Sequence, residues 1–260
     1  MLAVNPRPRA APEDRASAAL IDLHCHILPA LDDGALDLSD SVAMARQAER
    51  DGIAVVCATP HIRDDHDVRI EELPARIAVL QRELECQGVG VRIAPGAEVA
   101  ERAADALSPA QLRALSLDGG GWILLEPAPG PIGAELGALV ERLAARGART
   151  VIAHPERHAG AAFEEHLRAL ALRGCVIQWT ADFLAQTPPD EPDALVLRLA
   201  REGLVHVLAS DAHSSHGGRP VRLSPGIERL RAVCSPGQLA WIAELAPAAI
   251  LAGEPVRAPW

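Results

Sequence analysis

The chain has 260 residues, 49% of them hydrophobic, which is enough for one sizeable core. Its formal charge is −10, all 25 basic residues are arginine, and lysine and tyrosine are both absent. Lysine Schiff bases, P-loop lysines, carbamylated-lysine metal bridges and phenolic catalysis are thereby excluded, and an acidic, aromatic-poor chain is no general nucleic-acid binder.

Residues 1–18 are rich in Ala, Pro and Arg and lack the apolar stretch of a signal peptide, so they read as a flexible N-terminal extension. From residue 19 to residue 260, short apolar runs alternate with amphipathic ones. A strand at Leu20–Leu23 leads to a helix at Ser39–Arg50, with Ser39 as its N-cap. Strand Ile53–Ala58 precedes helix Glu71–Gln87, and strand Val89–Pro95 precedes helix Pro109–Leu115. Strand Trp122–Leu125 is followed by helix Gly133–Arg146, and strand Thr150–Ala153 by helix Phe163–Arg173. Strand Cys175–Trp179, helix Pro192–Arg201 and strand Val205–Ala209 complete the alternation, and helices Pro225–Val233 and Pro236–Leu251 form the tail. Gly52, Gly88, Gly147, Gly174 and Gly203 fall just after helix ends. This pattern predicts a single α/β domain whose parallel strands are covered on both faces.

The five cysteines are scattered and odd in number, which points to a reducing compartment and a cytoplasmic protein. No apolar run is long enough for membrane insertion.

Ligand-type residues recur where strands end. His24 and His26 follow the first strand, His61 the second, Glu98 the third, Glu126 the fourth, His154 the fifth, and Asp211 with His213 the seventh. In βα barrels these ends share one face, so residues remote in sequence converge there. His-x-His places two imidazoles on one side of an extended strand, and imidazole with carboxylate suits zinc, manganese or iron. Cys25, between them, points away and reads as a packed small hydrophobe. Asp32-Asp33-Gly34 reads on composition as an ordinary turn. Two Cys-x5-Arg spacings, Cys57 to Arg63 and Cys86 to Arg92, lack the strand-to-helix loop of a cysteine phosphatase. His66, His158, His166, His206 and His216 read as packing or surface residues, and Trp122 and Trp179 as core.

The stretch from Ile21 through His24, His26, Leu28, Pro29, Asp32, Asp33 and Gly34 resembles the opening of the PHP (polymerase and histidinol phosphatase) superfamily. More narrowly it resembles the metal-dependent protein-tyrosine phosphatases encoded with bacterial capsule and exopolysaccharide synthesis. Matches continue in order at Ala58–His61, Pro95–Glu98, Leu124–Glu126, Ala153–Arg157 and Ser210–His213. The resemblance implies a distorted TIM-like barrel of seven strands, the PHP fold, and a cluster of three divalent ions, with manganese first and iron or zinc next. It puts His24, His26, Glu98 and Asp211 on one ion, Glu98, Glu126 and His154 on a second, and Asp33, His61 and His213 on a third. Arg157 and Arg219 match the arginines that bind phosphate in that family. The implied substrate is a phosphotyrosine protein, the tail of a bacterial tyrosine kinase, or else a small phosphate ester. A homo-oligomer is compatible with all of this.

The chain departs from the family's usual pattern at Cys25, where serine is usual. It also departs along the substrate rim, at Ile62–His66 and Pro127–Pro131. Competing readings are a histidinol-phosphate phosphatase, which would more readily offer a histidine in place of Asp33, and a non-catalytic metal-binding module regulating a kinase or synthase.

Overall fold

A computed structural model describes residues 19–186 and 194–258. The expected N-terminal extension and the start of the helix expected from Pro192 lie outside the described residues. In chain order the elements are β1 (Leu20–Cys25), α1 (Leu38–Arg50), β2 (Ile53–Ala58), β3 (His61–Ile62) and α2 (Leu73–Cys86). Then come β4 (Arg92–Pro95), β5 (Glu98–Ala100), α3 (Glu101–Ala104), α4 (Pro109–Leu115), β6 (Trp122–Glu126), α5 (Ala134–Ala145) and β7 (Arg149–Ile152). The remainder is α6 (Phe163–Leu172), β8 (Val176–Thr180), α7 (Ala181–Ala185), α8 (Leu195–Arg201), β9 (Val207–Ala209), α9 (Ser224–Leu230), α10 (Pro236–Ala240) and α11 (Ala246–Leu251).

Every strand pair is parallel, as crossover helices require. One sheet runs β1-β2-β4 and the other β3-β5-β6-β7-β8-β9. The seven expected strands are all present, and two of them are broken. β3 resumes β2 after Thr59 and Pro60, and β5 resumes β4 after Gly96 and Ala97, so both paths step from the first sheet into the second. The first and last strands meet through a parallel bridge between Cys25 and Ala212. There Asp211 N donates to His24 O at 2.8 Å and His26 N to Ala212 O at 2.9 Å. Buried Asp22 reinforces this seam by accepting from Ser210 N at 2.9 Å and Ser210 Oγ at 2.5 Å. The result is the α/β arrangement of parallel strands that the alternation predicted, in the distorted barrel form that the resemblance implied.

The strands are apolar because they are covered on both sides: all of β8 is buried, as are the first four residues of β6. Trp122 and Trp179 are each 1% exposed, and their ring N–H groups donate to Glu254 O and Leu204 O, as core tryptophans require. The five glycines after helix ends have φ between +68° and +85°.

Two local expectations change. The cap of α1 is Asp37, whose carboxylate accepts from Asp40 N, and Ser39 lies inside the helix. The tail helix passes through a π-turn at Trp241–Leu245, two residues before Pro247, which has no N–H to continue the α pattern.

Candidate metal centre

The C-terminal ends of the strands carry the polar residues. His24 and His26 project from β1 and the turn after it, His61 begins β3, Glu98 begins β5, and Glu126 ends β6. His154 follows β7, and Asp211 and His213 follow β9. His24 and Glu98 are buried, as are His26, His154 and Asp211. All nine expected ligands come together.

The distances define a tight constellation. His24 Nε2 and His26 Nε2 lie 3.2 Å apart, and each is 3.2 Å from Glu98 Oε2. Asp211 Oδ1 is 3.5 Å from His24 Nε2 and 3.7 Å from His26 Nε2. Glu98 Oε1 reaches His154 Nε2 at 2.7 Å, and Glu98 Oε2 lies 3.0 Å from His61 Nδ1. Asp33 Oδ1 is 3.4 Å from His61 Nε2 and 3.6 Å from His213 Nε2. Four overlapping groups have ligand atoms within 4.8 Å of one another: His26, Asp33, His61 and His213; His24, His154 and Asp211; His24, His26 and Glu98; and His61, Glu98 and Glu126. Glu126 thus gathers with His61, at 3.8 Å, in addition to Glu98.

This arrangement fits metal ions better than it fits hydrogen bonding. His61 Nδ1, Glu98 Oε2 and Asp211 Oδ1 are buried without a hydrogen-bond partner among the described residues. Such orphans are costly unless something else satisfies them. Lone pairs converging at 3 to 4 Å on imidazole and carboxylate are the donor set of a divalent cation.

The electrostatics follow from burial and neighbours. Burial opposes charge on Glu98, but His24, His154 and His26 outweigh it and hold the carboxyl well below its usual range. Glu126 moves the other way, raised by burial and by the charge of Glu98. Burial drives His154 down to about 3 and His213 down to about 2, so both keep a neutral ring with an available lone pair. His26 is the exception, raised to about 9 because Asp32 and Glu98 overcome its burial.

Two of the five described non-glycine residues with positive φ are candidate ligands. His154 has φ +28° and Asp211 φ +50°, a left-handed region that L-residues rarely occupy. The short turn Pro155–His158 begins at His154 and presents Arg157. Arg157 Nη2 pairs with Asp211 Oδ2, Arg219 Nη2 lies 3.2 Å from the same oxygen, and Arg219 Nε donates to Asp211 O at 2.7 Å. Two guanidinium groups therefore flank one ligand carboxylate, and both remain about one-third exposed, at 38% and 33%.

Two functional residues escape the sequence reading. Asp32 accepts from His26 Nδ1 at 2.8 Å, His61 N at 3.0 Å and Gly34 N at 3.0 Å. A carboxylate only accepts, so it fixes one proton on Nδ1 and leaves Nε2 as the nitrogen that would face an ion, which would displace the second proton of the raised imidazole. Gln178 Oε1 plays the corresponding part 3.1 Å from His24 Nδ1. Gly34 allows the turn to press on the site, because a Cβ there would lie 2.2 Å from His26 O. His158, one of the histidines read as packing or surface residues, is buried, stacks 6.0 Å from His154 and bonds Gly130 O through Nδ1.

The thiols play no part in this site. Cys25, Cys57, Cys175 and Cys234 are buried, and burial pushes their pKa values up, for Cys175 to about 12. Exposed Cys86 ends α2, and Arg92 is paired with Asp118.

Known proteins share the sequence and the architecture of this chain. The tyrosine-protein phosphatase YwqE of Bacillus subtilis is 35% identical over 198 residues, 75% of this chain and 78% of the relative. The putative tyrosine-protein phosphatase CapC of Staphylococcus aureus is 25% identical over 199 residues, 75% of this chain and 77% of the relative. Among solved structures, one from a study of YwqE of Bacillus subtilis and CpsB of Streptococcus pneumoniae, described as metal-dependent tyrosine phosphatases, superposes with a TM-score of 0.76. It is 29% identical and covers 92% of this chain and 100% of that one. A phosphotriesterase homology protein from Escherichia coli, 14% identical with a TM-score of 0.59 over 89% of this chain and 98% of that one, shares the fold alone. The family model for capsular polysaccharide synthesis, CpsB/CapC, matches residues 20–248, and the chain belongs to that family.

Proposed function

We propose that this chain is a metal-dependent phosphatase that hydrolyses phosphotyrosine on another protein in capsule or exopolysaccharide synthesis. One observation carries the reading: nine metal-type ligands and two arginines converge on one face of the barrel, with Asp211 touching both sets. His24, His26, Asp33, His61, Glu98, Glu126, His154, Asp211 and His213 would hold the ions, three in number, with manganese favoured over iron or zinc. Divalent ions bound there supply Lewis acidity toward phosphoryl oxygens and lower the pKa of water.

The chain's own groups do the rest. Arg157 and Arg219 form a positively charged rim whose forks match the oxygens of a phosphate dianion. Asp32 and Gln178 hold the tautomers of His26 and His24. Asp33, 53% exposed, stands where the cluster meets solvent. No thiol is placed for a covalent step, so the reaction is direct hydrolysis, with no phosphoenzyme. The substrate tyrosine must come from another molecule, because this chain has none; a bacterial tyrosine-kinase tail supplies it. A cytoplasmic setting agrees with five free cysteines. Among the described residues no helix is long and apolar enough to cross a membrane.

The test compares a phosphotyrosine peptide, a phosphoserine peptide and histidinol phosphate with manganese present, before and after chelation. Preferential release of phosphate from phosphotyrosine, abolished by the chelator, is expected. Turnover that survives chelation, or a preference for histidinol phosphate, would overturn the reading. Three bound ions with no turnover would identify a binding module instead.

A further inference from the structure

A groove of about 310 Å³ opens beside Glu126. Its walls include Ala100, Ala103 and the Pro127–Pro129 segment, and Arg63 stands at its edge. The wall is pinned by Ala128 N, which donates to Glu101 Oε2 at 2.8 Å. Because Glu126 belongs both to this groove and to the ligand group with His61 and Glu98, the groove is continuous with the candidate metal centre. Charged Asp64, Asp65, Glu101 and Arg102 complete the lining, and the alanine and proline part of it offers a flat ring an apolar surface.

Arg63 is held in a particular orientation. Its Nε and Nη2 donate to Asp65 at 2.8 and 3.1 Å, and Nη2 also lies 3.1 Å from His66 Nε2. His66 in turn stacks on His61, with ring centroids 5.4 Å apart. Nη1 is left 3.7 Å from Glu126 Oε2, beyond hydrogen-bonding distance and without another partner among the described residues. One pair of guanidinium protons therefore points to where groove and ligand cluster meet. Burial is the largest single influence on this group and opposes its charge, but Asp65 and Glu126 together outweigh it and keep the guanidinium cationic.

We propose that Arg63 stabilises the leaving phenolate of an aryl phosphate whose ring occupies this groove. The inference rests on the phosphatase reading and adds a catalytic residue to it. The oxygen of water bonds to phosphorus, and the bond from phosphorus to the phenolic oxygen breaks with its electron pair going to that oxygen. The phenolate then takes a proton from solvent, giving a phenol and inorganic phosphate. Negative charge grows on the phenolic oxygen only as that bond breaks, so a cation there acts mainly on the transition state.

The experiment uses the full chain loaded with manganese and compares it with Arg63→Gln. For phenyl phosphate, a poor leaving group, kcat/KM should fall by about 10²-fold. For p-nitrophenyl phosphate, whose phenolate needs little help, the loss should stay within about three-fold. Equilibrium binding of phenylphosphonate, which has no leaving group, should change by less than about two-fold. Equal losses on both esters, no loss on either, or loss of phenylphosphonate binding would overturn the role. Ala103→Trp, which fills the groove, should weaken phenylphosphonate and spare methylphosphonate; equal effects would overturn the placement of the ring. A parent enzyme that hydrolyses neither ester would refute the phosphatase reading itself, before any variant is compared.

Discussion

Asp32→Asn isolates the contribution of a residue that is not a ligand. The substitution preserves shape, and Oδ1 can keep the bond from Gly34 N, but the atom facing His26 Nδ1 and His61 N becomes an amide donor. Two donors then oppose it, unless His26 shifts its proton to Nε2. That shift removes the lone pair facing His24 and Glu98. Comparable losses of an outer hydrogen-bond partner cost about 10–100-fold in metal affinity, or about 1.4–2.7 kcal/mol. Competition against a chromogenic chelator, followed by metal analysis of the dialysed protein, measures this directly. The parent circular-dichroism spectrum should be retained. If Asp32→Asn binds manganese within about two-fold of the parent, control of the His26 tautomer is not its role.

Gly34→Ala should destabilise the protein by on the order of 3 kcal/mol, because its Cβ would lie 2.2 Å from His26 O; Gly217→Ala, with nothing within 4 Å, serves as the control and should stay within about 0.5 kcal/mol in denaturant melts. Iodoacetamide at pH 8 should add one label to the native protein, at Cys86, and leave phosphatase activity intact, since burial keeps the other thiols protonated. Mass spectrometry showing a label at Cys25 with loss of activity would contradict this. His206 accepts from Ile177 N at 2.9 Å, and burial lowers its pKa to about 4. The unfolded imidazole titrates near 6.5 and takes its proton first, so this contribution is complete above about pH 6.5 and lost as pH falls toward 4. His206→Gln, which keeps an acceptor, should flatten that part of the pH dependence of the melting temperature; an unchanged profile would refute the assignment.

The candidate ligands were legible because strand ends are legible. A run of apolar residues sets the axis, and the first polar groups beyond it occupy one rim of the barrel, so His24, His26, His61, Glu98, Glu126, His154, Asp211 and His213 announce themselves. Asp32 does not, because Asp-Asp-Gly is as good a turn as a hydrogen-bond acceptor. Only its hydrogen bonds to His26, His61 N and Gly34 N show that it is both. Gln178 is hidden differently, as one polar residue within an apolar strand whose partner lies 154 positions away. β3 and β5 contain two and three residues, too few for any periodicity to register. The cap of α1 was misplaced by two residues because Asp37 and Ser39 both qualify by type, and only backbone geometry distinguishes them.

The seam between β1 and β9 also has a consequence during synthesis. His24 and Asp211 are joined by a backbone hydrogen bond across nearly the whole described chain, and Asp22 and Ser210 are separated by 188 positions. A growing chain therefore exposes its His-x-His pair long before Asp211 and His213 exist to complete the site. Loop closure of that length is slow compared with local helix formation. A metal ion captured early can meet only part of its ligand set, and the full set forms only when the ring closes. Occupancy of the complete centre thus reports that translation has passed residue 213 and that the two ends of the barrel have met.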